Sequence, residues 1–171
     1  MPRGEVGVAP FANVREYLAA LHGLTGVQIA AAIAERRDAG LLDGGDGDAT
    51  ELRVEALRRA AVFDARLAGA QACRIALPLA DAFDAWQLEG DDRVVLGYLL
   101  GAELSPAIAR GFARLGGVTV ETVAAVLRAG DAGVAELLGR LATGMPLSRL
   151  ALVAVEGDGL LIHRRLGLCC S

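Results

Sequence analysis

The chain has no lysine. All 17 of its basic residues are arginine, which excludes a Schiff-base lysine, a lysine general base and the lysine of a phosphate-binding P-loop. Cysteine is scarce as well: Cys73, Cys169 and Cys170 make an odd count without the spacing of a disulfide framework, which points to a reducing compartment. Long apolar runs are also missing. Although 54% of the residues are hydrophobic, uninterrupted runs are no longer than LALVAV at residues 150–155. A membrane span needs roughly 18–20 residues. The opening MPRGEVGVAPF has no apolar stretch of signal-peptide length. The expected location is therefore the cytoplasm, without a membrane partner. No nucleophile, base and orienting group stand in a recognisable arrangement anywhere, so neither an enzyme nor a cofactor is expected.

What is present is helical periodicity. At 171 residues the chain fits one domain or a domain with a helical annex. Phe11, Val14, Leu18 and Leu21 recur at helical spacing, predicting a helix over residues 12–21 that Gly23 ends. Thr25 and Gln28 have capping-box spacing and open a second helix running to Gly40. The next stretch, LLDGGDGDAT, carries Asp43, Asp46 and Asp48, but it lacks the EF-hand register and reads as a solvated acidic loop. Thr50 is the expected cap of a long helix over residues 51–70. That helix should bury Val54, Leu57, Ala61, Ala65 and Ala68 and leave Arg53, Arg58, Arg59 and Arg66 wet, with Phe63 off the stripe. After Pro78 a short helix places Leu79, Phe83 and Trp86 on one face, and Trp86 is expected to anchor the junction between the N-terminal helices and the C-terminal half.

Residues 91–127 carry the best local signals and read as three helices in quick succession. Val94, Val95, Tyr98 and Leu99 form the buried side of the first. Ser105 before Pro106 places a cap hydroxyl ahead of a proline at the first helical position. Ile108, Phe112 and Leu115 then share a face, and Gly116-Gly117 supplies a left-handed stop. Thr119 caps the third helix, whose stripe is Val120, Val123, Ala124 and Leu127. Asp131 opens a further helix through Leu137 and Leu141, closed at Gly144-Met145-Pro146. The period then changes to that of strands over residues 149–156 and 160–166, with a turn at Gly157–Gly159. The expected fold is mainly α with a C-terminal β-hairpin: a helical annex over residues 1–77 and a winged-helix module over residues 78–171.

Two chemistries compete on this frame. His163 with Cys169 and Cys170 is the one cluster with conceivable zinc ligands, with Cys73 as a candidate fourth, and it matches no zinc spacing because vicinal cysteines suit one tetrahedral ion poorly. DNA is the usual partner of a winged helix. From residue 91 onward, however, eight arginines balance eight acids, and phosphate binding wants a basic excess. The helix in the recognition position offers no Asn, Gln or paired Arg to read base edges. The wing residues His163, Arg164 and Arg165, with Arg128, are the best nucleic-acid candidates.

The pairs Asp92-Arg93 and Thr119-Val120, the step Glu103-Leu104-Ser105-Pro106 and the hairpin over residues 150–166 carry a resemblance. Over residues 79–168 the chain resembles the winged-helix domain that precedes the ATPase module in a bacterial class of AAA+ proteins, including those of contractile injection systems. In that class a module with Walker motifs comes next, whereas this chain holds no G-x-x-x-x-G-K-[ST] and cannot hydrolyse ATP by the P-loop route. The resemblance implies either an N-terminal region of such a protein or a free-standing relative that acts on one, and it transfers no catalytic residue. The expectation is a non-catalytic interaction or regulatory domain for an AAA+ partner. A DNA-binding regulator is the alternative, and Trp86, Arg128, His163, Arg164 and Arg165 are the candidate contact residues.

Overall fold

The computed structural model describes residues 8–44, 47–88, 90–127, 135, 137–141, 145–150, 152–156 and 165–168. The chain is mainly helical with a small antiparallel sheet near the C-terminus. In order come α1 (Val14–Asp38), α2 (Ala49–Ala72), α3 (Pro78–Ala85), α4 (Asp91–Leu104), α5 (Pro106–Arg114), α6 (Val120–Leu127), the short α7 (Pro146–Arg149), β1 (Val153–Glu156) and β2 (Arg165–Leu168).

The first two expected helices are one. Asn13 caps α1, its side chain accepting the Glu16 N–H at 3.0 Å, and the helix runs unbroken through Gly23. A glycine in a helix interior costs only about 1 kcal/mol relative to alanine, and α1 offsets this by packing on α2, α4, α5 and α6. Thr25, expected as a cap, is instead buried in mid-helix. By length and composition alone α1 could cross a membrane, because Gly, Thr and Gln break its apolar runs without adding charge. Here it is the central helix of a packed fold. The cap of α2 is Asp48 rather than Thr50: its carboxylate accepts the Glu51 N–H at 3.0 Å.

Among the described residues, four helices end by the same device. The residue after the cap is left-handed, and the next N–H reaches back to the carbonyl of the residue five before it, satisfying acceptors the helix leaves open. The bonds are Leu41 N–H to Arg36 O, Ile75 N–H to Ala70 O, Leu88 N–H to Phe83 O and Gly117 N–H to Phe112 O, all 2.8–3.0 Å. Gly40 and Gly116 adopt the left-handed conformation easily, whereas Arg74 and Gln87 adopt it at φ 55° and 56°. The stop at Gln87 corrects the reading of Trp86. The chain turns so that Leu88, fully buried, closes over Phe83, while Trp86 at the cap is left 38% exposed. Leu79 and Phe83 do join the core.

The α4–α6 succession forms as expected. Ser105 occupies the position before Pro106, although its hydroxyl makes no capping bond. Thr119 does cap: its hydroxyl accepts the Thr122 N–H at 3.2 Å, and the Thr122 hydroxyl accepts the Thr119 N–H at 2.8 Å. This is a reciprocal arrangement like a capping box with threonine in the distal position. β1 pairs antiparallel with β2, Val153 opposite Leu168 and Glu156 opposite Arg165. Leu166 N–H also donates to Val118 O at 2.8 Å, which ties β2 to the segment ahead of α6. β1 starts later than expected, because Arg149 closes α7 instead of opening a strand; β2 extends to Leu168, and residues 160–164 of the expected second strand lie outside the described residues. The Gly157–Gly159 turn and the start of the Asp131 helix lie outside the described residues, although residues 137–140 are helical and Leu137 is buried.

The main core runs across position 77. Ile29, Ala32 and Ile33 of α1 pack with Val95, Tyr98 and Leu99 of α4, Phe112 of α5 and Val123 of α6. α1 and α5 meet closely at Gly111, where a Cβ would stand 2.7 Å from Ile29 Cγ2. A smaller cluster around Phe11, Tyr17, Ala70 and Leu77 holds the other end of the α1–α2 hairpin, and Leu79 packs against both.

Candidate interaction surface

The helix expected in the recognition position, α6, is mostly buried. Among the described residues of α6, Val120, Thr122, Val123, Ala124 and Val126 are buried and none is exposed. Its apolar side chains belong to the main core, and two arginines of the N-terminal hairpin clamp its two ends. Arg36 of α1 donates to Leu115 O, the C-terminal carbonyl of α5, and to Glu121 Oε1 in the first turn of α6, both at 2.8 Å. Arg53 of α2, expected to be wet, is 6% exposed. Its fork grips Glu35 through Nε and Nη2, each at 2.7 Å, and donates to Ala125 O at 2.9 Å and Val126 O at 3.1 Å. Helix C-termini present carbonyls without intrahelical donors and carry partial negative charge, and a planar guanidinium can serve several of these groups at once. Arg36 and Arg53 thus staple α5 and α6 to the α1–α2 hairpin.

The apolar stripe expected inside α2 lies outside. Val54 is 61% and Leu57 64% exposed, and Ala61, Ala65 and Ala68 continue the same line in solvent. The face packed on α1 is a different one. Arg53, Ala56 and Ala70 are buried there, with Phe63 and Leu67 partly so. At 3.6 residues per turn the two faces are roughly a third of the circumference apart. Exposed stripes this regular mark contact surfaces more often than scattered apolar residues do. The rim is charged: Glu55 accepts from both Arg58 and Arg59 at 2.7 Å. Those two bonds hold the Glu55 carboxyl down at about 2.

Of the residues singled out from the sequence, Trp86 is on the surface at the end of α3. Substituting it by alanine should leave the melting temperature within about 2 °C of the parent, as surface substitutions do. Its emission should be red-shifted and readily quenched by iodide, and a blue-shifted, protected emission would contradict this placement. Arg128, His163 and Arg164 lie outside the described residues, and of Arg165 only the backbone, opening β2, is described. Cys73 is exposed at the α2 C-cap, and Cys169 and Cys170 lie outside the described residues. Among the described residues no three His, Cys, Asp or Glu side chains gather where they could hold a metal ion. Comparison with family models, curated proteins and solved structures finds no match to this chain.

Proposed function

We propose that the chain is a non-catalytic interaction domain that docks on a protein partner through the outer face of α2. The observation that carries this reading is the line Val54, Leu57, Ala61, Ala65 and Ala68, apolar for four turns and uncovered. An apolar helix face of this kind enters a hydrophobic groove or packs on another helix, with anchors at i, i+3 and i+7. The resemblance of residues 79–168 to the domain ahead of an AAA+ module indicates the partner class, a cytoplasmic AAA+ ATPase. A helix succession closed by a hairpin whose second strand bonds back to Val118 supports the winged-helix description.

The test mixes the purified chain with an AAA+ ATPase encoded in the same genome and follows complex formation by light scattering after gel filtration. The parent should co-elute with the ATPase, and Val54→Glu/Leu57→Glu should not, while its own melting temperature is retained. Co-elution unaffected by the double substitution, or no complex at all, defeats the reading.

Burial of the α6 side chains in the main core weighs against the DNA-binding alternative, because a recognition helix must offer side chains to a major groove. A labelled duplex titrated with the chain at physiological salt should show no submicromolar binding. Tight binding that weakens in Arg164→Ala/Arg165→Ala would bring the DNA reading forward.

A further inference from the structure

Between α1, α2, α3 and α4 lies a cavity of about 380 Å³, within the roughly 300–1,000 Å³ range of small-molecule sites. Tyr17, Leu21, Phe63, Leu67 and Phe83 make its wall largely apolar. Three polar groups interrupt that wall without having partners of their own among the described residues. The Gln28 side-chain carbonyl is buried with no donor, and the Tyr98 hydroxyl is buried with neither donor nor acceptor. A buried polar group left unpaired costs free energy, so native folds seldom tolerate it without a bound partner. Asp64 is exposed at the open side and makes no hydrogen bond or ion pair among the described residues. Partial desolvation pushes its carboxyl above the ordinary range, a penalty that a neighbouring cation would offset. The cation on the wall, Arg93, is already committed to Asp84 at 2.5 Å and to the Leu88 carbonyl.

We propose that this cavity binds a small amphiphilic amine. Its ammonium sits on Asp64 at the open side, its apolar body lies along Tyr17, Phe63 and Leu67, and a hydroxyl at its far end donates to Gln28 and accepts from Tyr98. Each element of this ligand answers one unpaired group. The acceptor at the mouth calls for a charged donor, and the inner carbonyl and phenol together call for a group that both donates and accepts, which a hydroxyl does. Aromatic faces beside the mouth favour a cation further. Asp64 borders the exposed stripe of α2, one turn from Ala61 and Ala68, but the cavity chemistry does not depend on the docking reading.

Tyramine, phenethylamine and tyrosol separate the contributions, since the second lacks the hydroxyl and the third replaces the amine. Calorimetric titration of the full chain should give the order tyramine, then phenethylamine, then tyrosol. Asp64→Asn should weaken tyramine about tenfold or more, the scale of losing a charge-assisted bond, without lowering the melting temperature of the free protein. Gln28→Leu should abolish the preference for tyramine over phenethylamine. Equal binding of tyramine and tyrosol, indifference to Asp64→Asn, or no heat from any of the three at millimolar concentration would overturn the proposal.

Discussion

Replacing Arg53 by methionine should lower the stability of the chain by about 3 kcal/mol, the lower end of the range of about 3–5 kcal/mol for breaking a buried ion pair from one side. No contact with a ligand or partner is involved. The aliphatic volume is kept while four charge-assisted bonds disappear, two to Glu35 and two to the last carbonyls of α6. The lower end applies because the Glu35 side chain is 39% exposed and its carboxylate can turn to water. The carbonyls of Ala125 and Val126 have less freedom, and orphaned acceptors are what make the loss expensive. Lysine at this position should restore less than half of the stability, because one ammonium cannot span a carboxylate and two carbonyls in a plane. Arg58→Met is the matched control: Arg58 pairs with Glu55 in solvent on the same helix, and its loss should leave the melting temperature unchanged. If Arg53→Met and Arg58→Met melt together, the stapling role of Arg53 is wrong.

How much of the fold is legible in the sequence depends on what kind of signal each feature sends. Helix ends marked by special residues are readable: Pro106, Gly116-Gly117 and Gly40 act through backbone conformation, which depends on the local sequence. The ends at Arg74 and Gln87 use the same left-handed turn without glycine, and nothing in those side chains announces it. The expectation for Trp86 fails for that reason, since a stripe extrapolated through Phe83 does not foresee the chain reversing at Gln87. The continuity of α1 is hidden because Gly23 and Thr25 look like punctuation, and only packing on four other helices overrides them.

The two faces of α2 show a different failure. Periodicity weights large residues, so Val54 and Leu57 outscore Ala56 and Ala70. Close helix packing selects small residues instead, and a Cβ at Gly69 would stand 3.2 Å from Pro10. The apolar stripe is visible in the sequence; its direction is not. Arg53 illustrates the same limit, because an arginine on a helix is solvated until the fold brings an acid and two carbonyls to it. The cavity groups are silent for a further reason: Gln28, Asp64 and Tyr98 come from three helices and have no spacing in common.

Phe112→Ala should produce the other large loss, and it bears on whether the α1–α2 hairpin and the α4–α6 succession are one folding unit. Phe112 is completely buried, lies 6.1 Å from the Tyr98 ring and shares its core with Ile29 and Ile33 of α1. Truncating a core phenylalanine costs about 3–5 kcal/mol, a large part of the roughly 5–15 kcal/mol that holds a domain together. For a chain of this length that corresponds to a fall of about 6–20 °C in melting temperature. Because the core spans both segments and Leu79 packs against both clusters, the hairpin cannot keep its own stability once α5 is loosened. Far-UV circular dichroism and near-UV circular dichroism, the latter reading buried Tyr17 of α1 and Tyr98 of α4, should therefore report one shared, lowered transition. Two transitions, the earlier one shifted and the later one unchanged from the parent, would mean that the hairpin stands alone and that the contacts of Ile29 and Ile33 with α4–α6 add little to its stability.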